Sequence, residues 1–145
     1  MVNHEKVMKK AIFLLSLFLS TMTFAEESEM KIHVIANGET LTATLASGEA
    51  AKDFYQMLPL ELELSDYAGE EKISYLPRKL DTSRAPDGVA AAVGDINYYA
   101  PWGNVAIFYR PHARSRGLVH LGRFDGDFSA ILGRENTKVR FEKAK

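Results

Sequence analysis

The 145-residue sequence has no cysteine. This excludes disulfides, thiolate zinc sites, a catalytic thiol and a lipid-modified N-terminal cysteine. G-x-G-x-x-G, the P-loop and G-x-S-x-G are also missing, so the nucleotide and hydrolase fingerprints are absent. Charge of one sign is scarce: 18 basic and 19 acidic side chains leave a net of −1, with no general attraction for nucleic acid or anionic membrane. No apolar run is long. The strongest, Ala11 to Leu19, falls well short of the roughly 20 residues that cross a bilayer.

That run has a function of its own. Lys6, Lys9 and Lys10 precede it, and Thr23-Phe24-Ala25 follows with small residues at the two positions a signal peptidase reads. Together they form the pattern of a secretory signal, residues 1–25; a membrane anchor is the competing reading. Residues 26–30 read as a solvated lead-in and 31–143 as one domain. Cleavage removes Lys6, Lys9, Lys10 and Glu5, leaving 15 basic and 18 acidic side chains, a net of −3. About 120 residues can build one core, burying roughly 65% of the unfolded surface. The expected location is periplasmic or secreted, with no stable membrane insertion after cleavage.

The mature part reads as mainly β. Lys31–Ala36 and the alternating Leu41, Ala43 and Leu45 flank Asn37-Gly38, a hairpin turn because both residues tolerate positive φ. Ser47 is placed to cap a helix whose apolar face is Ala50, Ala51, Phe54, Met57 and Leu58, with Pro59 as its limit. Leu60, Leu62 and Leu64 alternate with polar residues up to a turn at Asp66-Tyr67-Ala68-Gly69. Glu71–Tyr75 is a short strand or turn, and Leu76–Gly88 a long loop. Asp95–Tyr99 and Asn104–Tyr109 pair across the turn Ala100-Pro101-Trp102-Gly103. His112–Gly117 reads as a basic loop, Leu118–Phe124 as a strand, Asp125 or Asp127 as the cap of a short helix, and Thr137–Phe141 as the closing strand. Seven or eight short strands with one or two short helices manage their edges best as a closed barrel; a sandwich fits the pattern too.

Two groups of residues carry chemical interest. Tyr98, Tyr99, Trp102, Phe108 and Tyr109 form an aromatic hairpin in which some rings must be core and others can line a groove. Asp66 and Asp95 flank it, either as polar anchors in a pocket or as turn residues bonding local backbone, the commoner role. The candidate ligand-binding set is Asp66, Tyr67, Asp95, Tyr99, Trp102, Asn104, Tyr109 and Arg110. No catalytic residue stands out. His33, His112 and His120 match no metal spacing, and no cofactor is implied. Arg110, Arg114, Arg116 and Arg123, with His112 and His120, make a modest basic patch that reads as solvated surface, because the mature chain is acidic overall.

Asp66-Tyr67-Ala68-Gly69-Glu70-Glu71-Lys72, Leu76-Pro77-Arg78-Lys79-Leu80 and the run from Gly94 to Asn104 resemble the bacterial cyclophilin-like domain family. So do Leu121-Gly122-Arg123 and Val139-Arg140-Phe141-Glu142. The resemblance spans Lys31 to Glu142 and implies a closed cyclophilin-like β-barrel with short helices over its ends. The Phe-His-Arg strand motif of cyclophilins proper does not occur; the nearest run is Phe108-Tyr109-Arg110.

The leading expectation is a binding module for a small molecule or an extended peptide, its oligomeric state open. Prolyl isomerisation, with Arg110 or Arg78 as donor to the proline nitrogen, is the alternative. An accessory protein using the Leu76–Gly88 and Arg110–Arg116 loops is the third. Of the processing steps, export is the most directly checked. In a bacterial host, N-terminal sequencing of the fractionated protein should begin at Glu26; a start at Met1 in the membrane fraction would identify an anchor instead.

Overall fold

The computed structural model describes residue 16, residues 18–21 and residues 28–145. The signal reading of residues 1–25 therefore falls almost wholly outside the described residues. Among those described, no helix is long and apolar enough to cross a membrane.

Ten strands follow in chain order: β1 Met30–Ala36, β2 Glu39–Leu45, β3 Leu60–Tyr67, β4 Glu71–Tyr75, β5 Gly88–Ala91, β6 Asp95–Tyr99, β7 Asn104–Phe108, β8 His112–Arg116, β9 Leu118–Phe124 and β10 Asn136–Lys143. One helix, α1 Glu49–Met57, and a 3₁₀ turn, Ser129–Ile131, complete the set. Eight strands close into an antiparallel barrel in the order β1-β10-β3-β4-β7-β6-β9-β2, and β5 and β8 pair separately as a two-stranded sheet. The expected mainly β fold with a closed barrel is therefore observed.

Strand alternation explains the interior. Successive side chains point to opposite faces, so Ile32 and Val34, Leu41 and Ala43, Leu64, Ile96 and Tyr98, Val105 and Ile107, Val139 and Phe141 all reach one core. Helix α1 adds Ala50, Ala51 and Phe54 to it. Phe54 meets Phe141 edge-on at 5.8 Å and 79°, an arrangement adding about 0.5–1.5 kcal/mol beyond area burial. The β1–β2 turn uses positive φ at Asn37 (52°) and Gly38 (77°), as its composition requires.

Three local readings change. Gly48, not Ser47, is the N-cap of α1, and it supplies no side-chain bond. Neither Asp125 nor Asp127 is the N-cap of the 3₁₀ turn, which is Phe128; Asp127 Oδ1 accepts the Ser129 N–H at 2.8 Å, and the Asp125 carboxylate accepts from the Thr44 hydroxyl at 2.6 Å. His112–Arg116 is a strand, not a loop, because it pairs with β5: Gly88 faces Arg116, Val89 faces Ser115 and Ala91 faces His112. The remaining loop, 76–87, is tied down rather than free. Leu80 is buried and its N–H donates to the Tyr98 hydroxyl at 3.3 Å. Asp53 of α1 holds Arg78 through two bonds of 3.0 and 2.8 Å and accepts the Asp81 N–H.

Barrel closure depends on a short seam. Strands β2 and β9 pair through only Ala43, Thr44 and Leu45. A Cβ at Gly122 would lie 2.4 Å from the Thr44 carbonyl oxygen and 2.8 Å from Leu45 Cα, both backbone atoms. Gly122→Ala should therefore destabilise the fold by about 1–3 kcal/mol in chemical denaturation; unchanged stability would mean that the seam is not tightly closed.

Candidate functional site

The same alternation that fills the barrel leaves apolar side chains on its outside. Ile73 of β4, Ala106 and Phe108 of β7 and Leu118 of β9 are buried, yet they sit on the face opposite the core-lining positions. They form a second apolar cluster with Ala91, and Val89 and Tyr99 pack against it. Its cover is the β5–β8 ribbon. Close approach within that ribbon needs Gly88, where a Cβ would stand 2.3 Å from the Ser115 carbonyl oxygen.

Beside this cluster lies a partly open cavity of about 180 Å³. Tyr67, Glu71, Tyr99, Asn104, Phe108 and Leu118 line it from the barrel wall, Trp102 from the β6–β7 turn, and His112 and Ser115 from β8. The register explains the convergence: Tyr67 faces Glu71, Glu71 faces Phe108, and Tyr99 lies between Asn104 and Leu118. Trp102 is 48% exposed, with Tyr67 edge-on at 5.3 Å and Tyr99 tilted at 5.5 Å. His112 stacks obliquely on Phe108 at 5.4 Å, and its Nδ1 lies 3.0 Å from a Glu70 carboxylate oxygen. Burial raises the Glu71 carboxyl above its ordinary pKa; the nearby His112 opposes that shift and Glu70 adds to it. Asn104 is 1% exposed; its Nδ2 donates to the Val105 carbonyl at 3.0 Å and its Oδ1 has no partner.

Of the eight residues singled out from the sequence, Tyr67, Tyr99, Trp102 and Asn104 share this cavity. The other four lie elsewhere. Asp66 and Tyr109 are one residue along the strand or its continuation from Tyr67 and Phe108, hence on the opposite face. There the Tyr109 hydroxyl donates to Asp66, the Gly69 N–H donates to Asp66 at 3.2 Å, and Lys72 approaches Asp66 at 3.5 Å. Lys72 is itself buried and donates to the Arg134 carbonyl at 2.8 Å. Asp95 is buried in its own turn, accepting the Ala92 N–H at 2.8 Å. Arg110 is exposed and does not line the cavity. Arg78, bound by Asp53, does not line it either.

Glu71, His112 and Ser115 were not among the sequence candidates. Glu71 had one usable signal: the Ala68-Gly69 turn, with φ of 56° and 66°, sets Tyr67 and Glu71 opposite each other. The contribution of β8 depended on its pairing with β5, which its composition does not announce.

Other concavities differ in kind. A groove of about 460 Å³ runs along β1, β10 and β3, but aliphatic stems and charges line it, and Arg140 there pairs with Glu61 at 3.3 Å. Among the described residues no group of histidine and carboxylate side chains is arranged to hold a metal ion.

The Asp66 cluster yields a stability test. The Tyr109 hydrogen bond, then the Lys72 charge, hold the Asp66 carboxyl below its ordinary 3.8, and the same bond pushes the Tyr109 hydroxyl up to about 12. A carboxyl lowered on folding stabilises the native state above its unfolded pKa, and that contribution fades as pH falls through the lower native value. Asp66→Asn should cost about 2 kcal/mol at pH 7, since it leaves the Lys72 charge buried without its counter-ion. The gap from wild type should narrow below pH 3.8 in denaturation curves; a gap independent of pH would contradict the assignment.

Comparison with known proteins agrees with this architecture. The sequence model of the Cyclophilin-like family matches residues 34–142. No curated protein matches the chain. Among solved structures, the solution structure of the hypothetical protein AF2241 from Archaeoglobus fulgidus superposes with a TM-score of 0.57 at 16% identity, over 80% of this chain and 95% of that one. That likeness concerns the fold alone. With a barrel of this order and a family match across nearly all of its described strands, the chain belongs to the cyclophilin-like family.

Proposed function

We propose that this protein is an exported binding module that takes a small ligand, or one side chain of an extended peptide, in the cavity on the outer barrel wall. The observation that carries the reading is the placement of Trp102. The sequence contains one tryptophan, and the fold holds it about half exposed over a cavity while burying Tyr98, Phe54, Phe108 and Phe141. An amphipathic ring left at a cavity mouth, with two tyrosines against it, is suited to contacting a ligand. The size of the cavity, about 180 Å³, favours a small group over a drug-sized molecule.

The absence of arginine among the lining residues weighs against prolyl isomerisation, because neither Arg110 nor Arg78 reaches the cavity to serve the proline nitrogen. The N-terminal signal pattern supports export.

Ligands found by fragment screening against intrinsic fluorescence should report at Trp102, which is the sole indole. By calorimetry, Trp102→Ala should then lower their affinity by about tenfold or more, with the β-sheet circular dichroism retained. Equal affinity in a folded Trp102→Ala variant would place the site elsewhere.

A further inference from the structure

The chemistry of the cavity lining is one-sided. Tyr67, Tyr99, Trp102 and Phe108 line it with aromatic rings, whose π faces carry negative electrostatic potential. Glu71 adds a carboxylate on which His112 acts only through its charge, the His112 Nδ1 being turned to Glu70 at 3.0 Å. Neither lysine nor arginine lines the space. The one lining residue able to carry positive charge, His112, already has Glu70 at 3.0 Å. Lys72, the neighbour of Glu71 in sequence, belongs to the opposite face with Asp66.

We infer that the cavity is a site for a small alkylammonium cation, held by the Tyr67, Tyr99 and Trp102 rings and by the Glu71 carboxylate. The inference rests on the cavity being the binding site proposed above, and it names the ligand class. Two kinds of group converge on the same electrostatic demand. Aromatic faces attract cations most when water is excluded. A half-buried carboxylate favours a charge partner, and burial already pushes this one's pKa up. The cavity of about 180 Å³ suits a compact head group. An anionic ligand would meet Glu71 and Glu70 without a lysine or arginine in the lining.

The test separates charge from shape. Choline and its uncharged isostere 3,3-dimethylbutan-1-ol are titrated into the full chain, with Trp102 emission as the readout and calorimetry for affinity. Choline should bind at least about tenfold more tightly than the isostere. In Glu71→Gln, with the β-sheet circular dichroism retained, the preference for choline should fall by at least about threefold, the rest being the share of the rings. Equal or weaker binding of choline overturns the inference, as does a preference that is the same in Glu71→Gln as in the wild type. In both cases binding of the isostere at Trp102 leaves the binding-module reading standing. If neither compound shifts Trp102 emission, the cation inference fails; a different fragment that does shift it preserves the cavity as a site, whereas silence from every fragment removes both.

Discussion

A strand that lines a closed barrel has two faces, and only one can reach the core. The rest of this molecule follows from that constraint. Where β1, β2, β3 and β10 turn outward they carry threonines, glutamates and lysines, and water covers them. Where β4, β6, β7 and β9 turn outward they carry Ile73, Asn97, Ala106, Phe108 and Leu118, which are buried or nearly so. An apolar outer wall needs a cover, and the β5–β8 ribbon supplies it. The cavity forms where that cover ends and the β6–β7 turn begins, so barrel closure and the candidate site have a common origin.

Alternation also explains why adjacent residues have unrelated tasks. Asp66 and Tyr67 are neighbours, as are Glu71 and Lys72. On one face Asp66, Lys72 and Tyr109 form a closed charge and hydrogen-bond cluster whose polar atoms are largely matched. On the other, Tyr67 and Glu71 border open space, and on the Glu71 carboxylate His112 acts only through its charge. The matched cluster stabilises the chain; the unmatched face is where a ligand can improve on the free protein. Asp95, which bonds its own turn, belongs with the first kind.

Much of the barrel was legible because its signals are local. Asn37-Gly38 marks its turn, the leucines of β3 mark a period of two, and Leu118–Phe124 is observed with the bounds the residues suggested. What escaped was set by distant pairing. His-Ala-Arg-Ser-Arg has little intrinsic strand preference, and it becomes β8 only because Gly88–Ala91 lies alongside it. The site was half legible for the same reason. Composition drew attention to the aromatic hairpin, but sorting its members by face required the register. Without that register Asp66 and Tyr109 read as groove residues, while Glu71 and His112 do not.

The central claim is that the outer wall beneath Trp102, and not the larger groove along β3 and β10, is where this fold meets its ligand. Chemical-shift mapping with a mixed fragment library tests it most directly. The account predicts perturbations concentrated at the Trp102 indole N–H, the Asn104 side-chain amide and the backbone amides of Tyr67, Glu71, Tyr99 and Ser115. Perturbations centred instead on Ile35, Leu62, Lys138 and Val139, with the Trp102 signal unmoved, would contradict it.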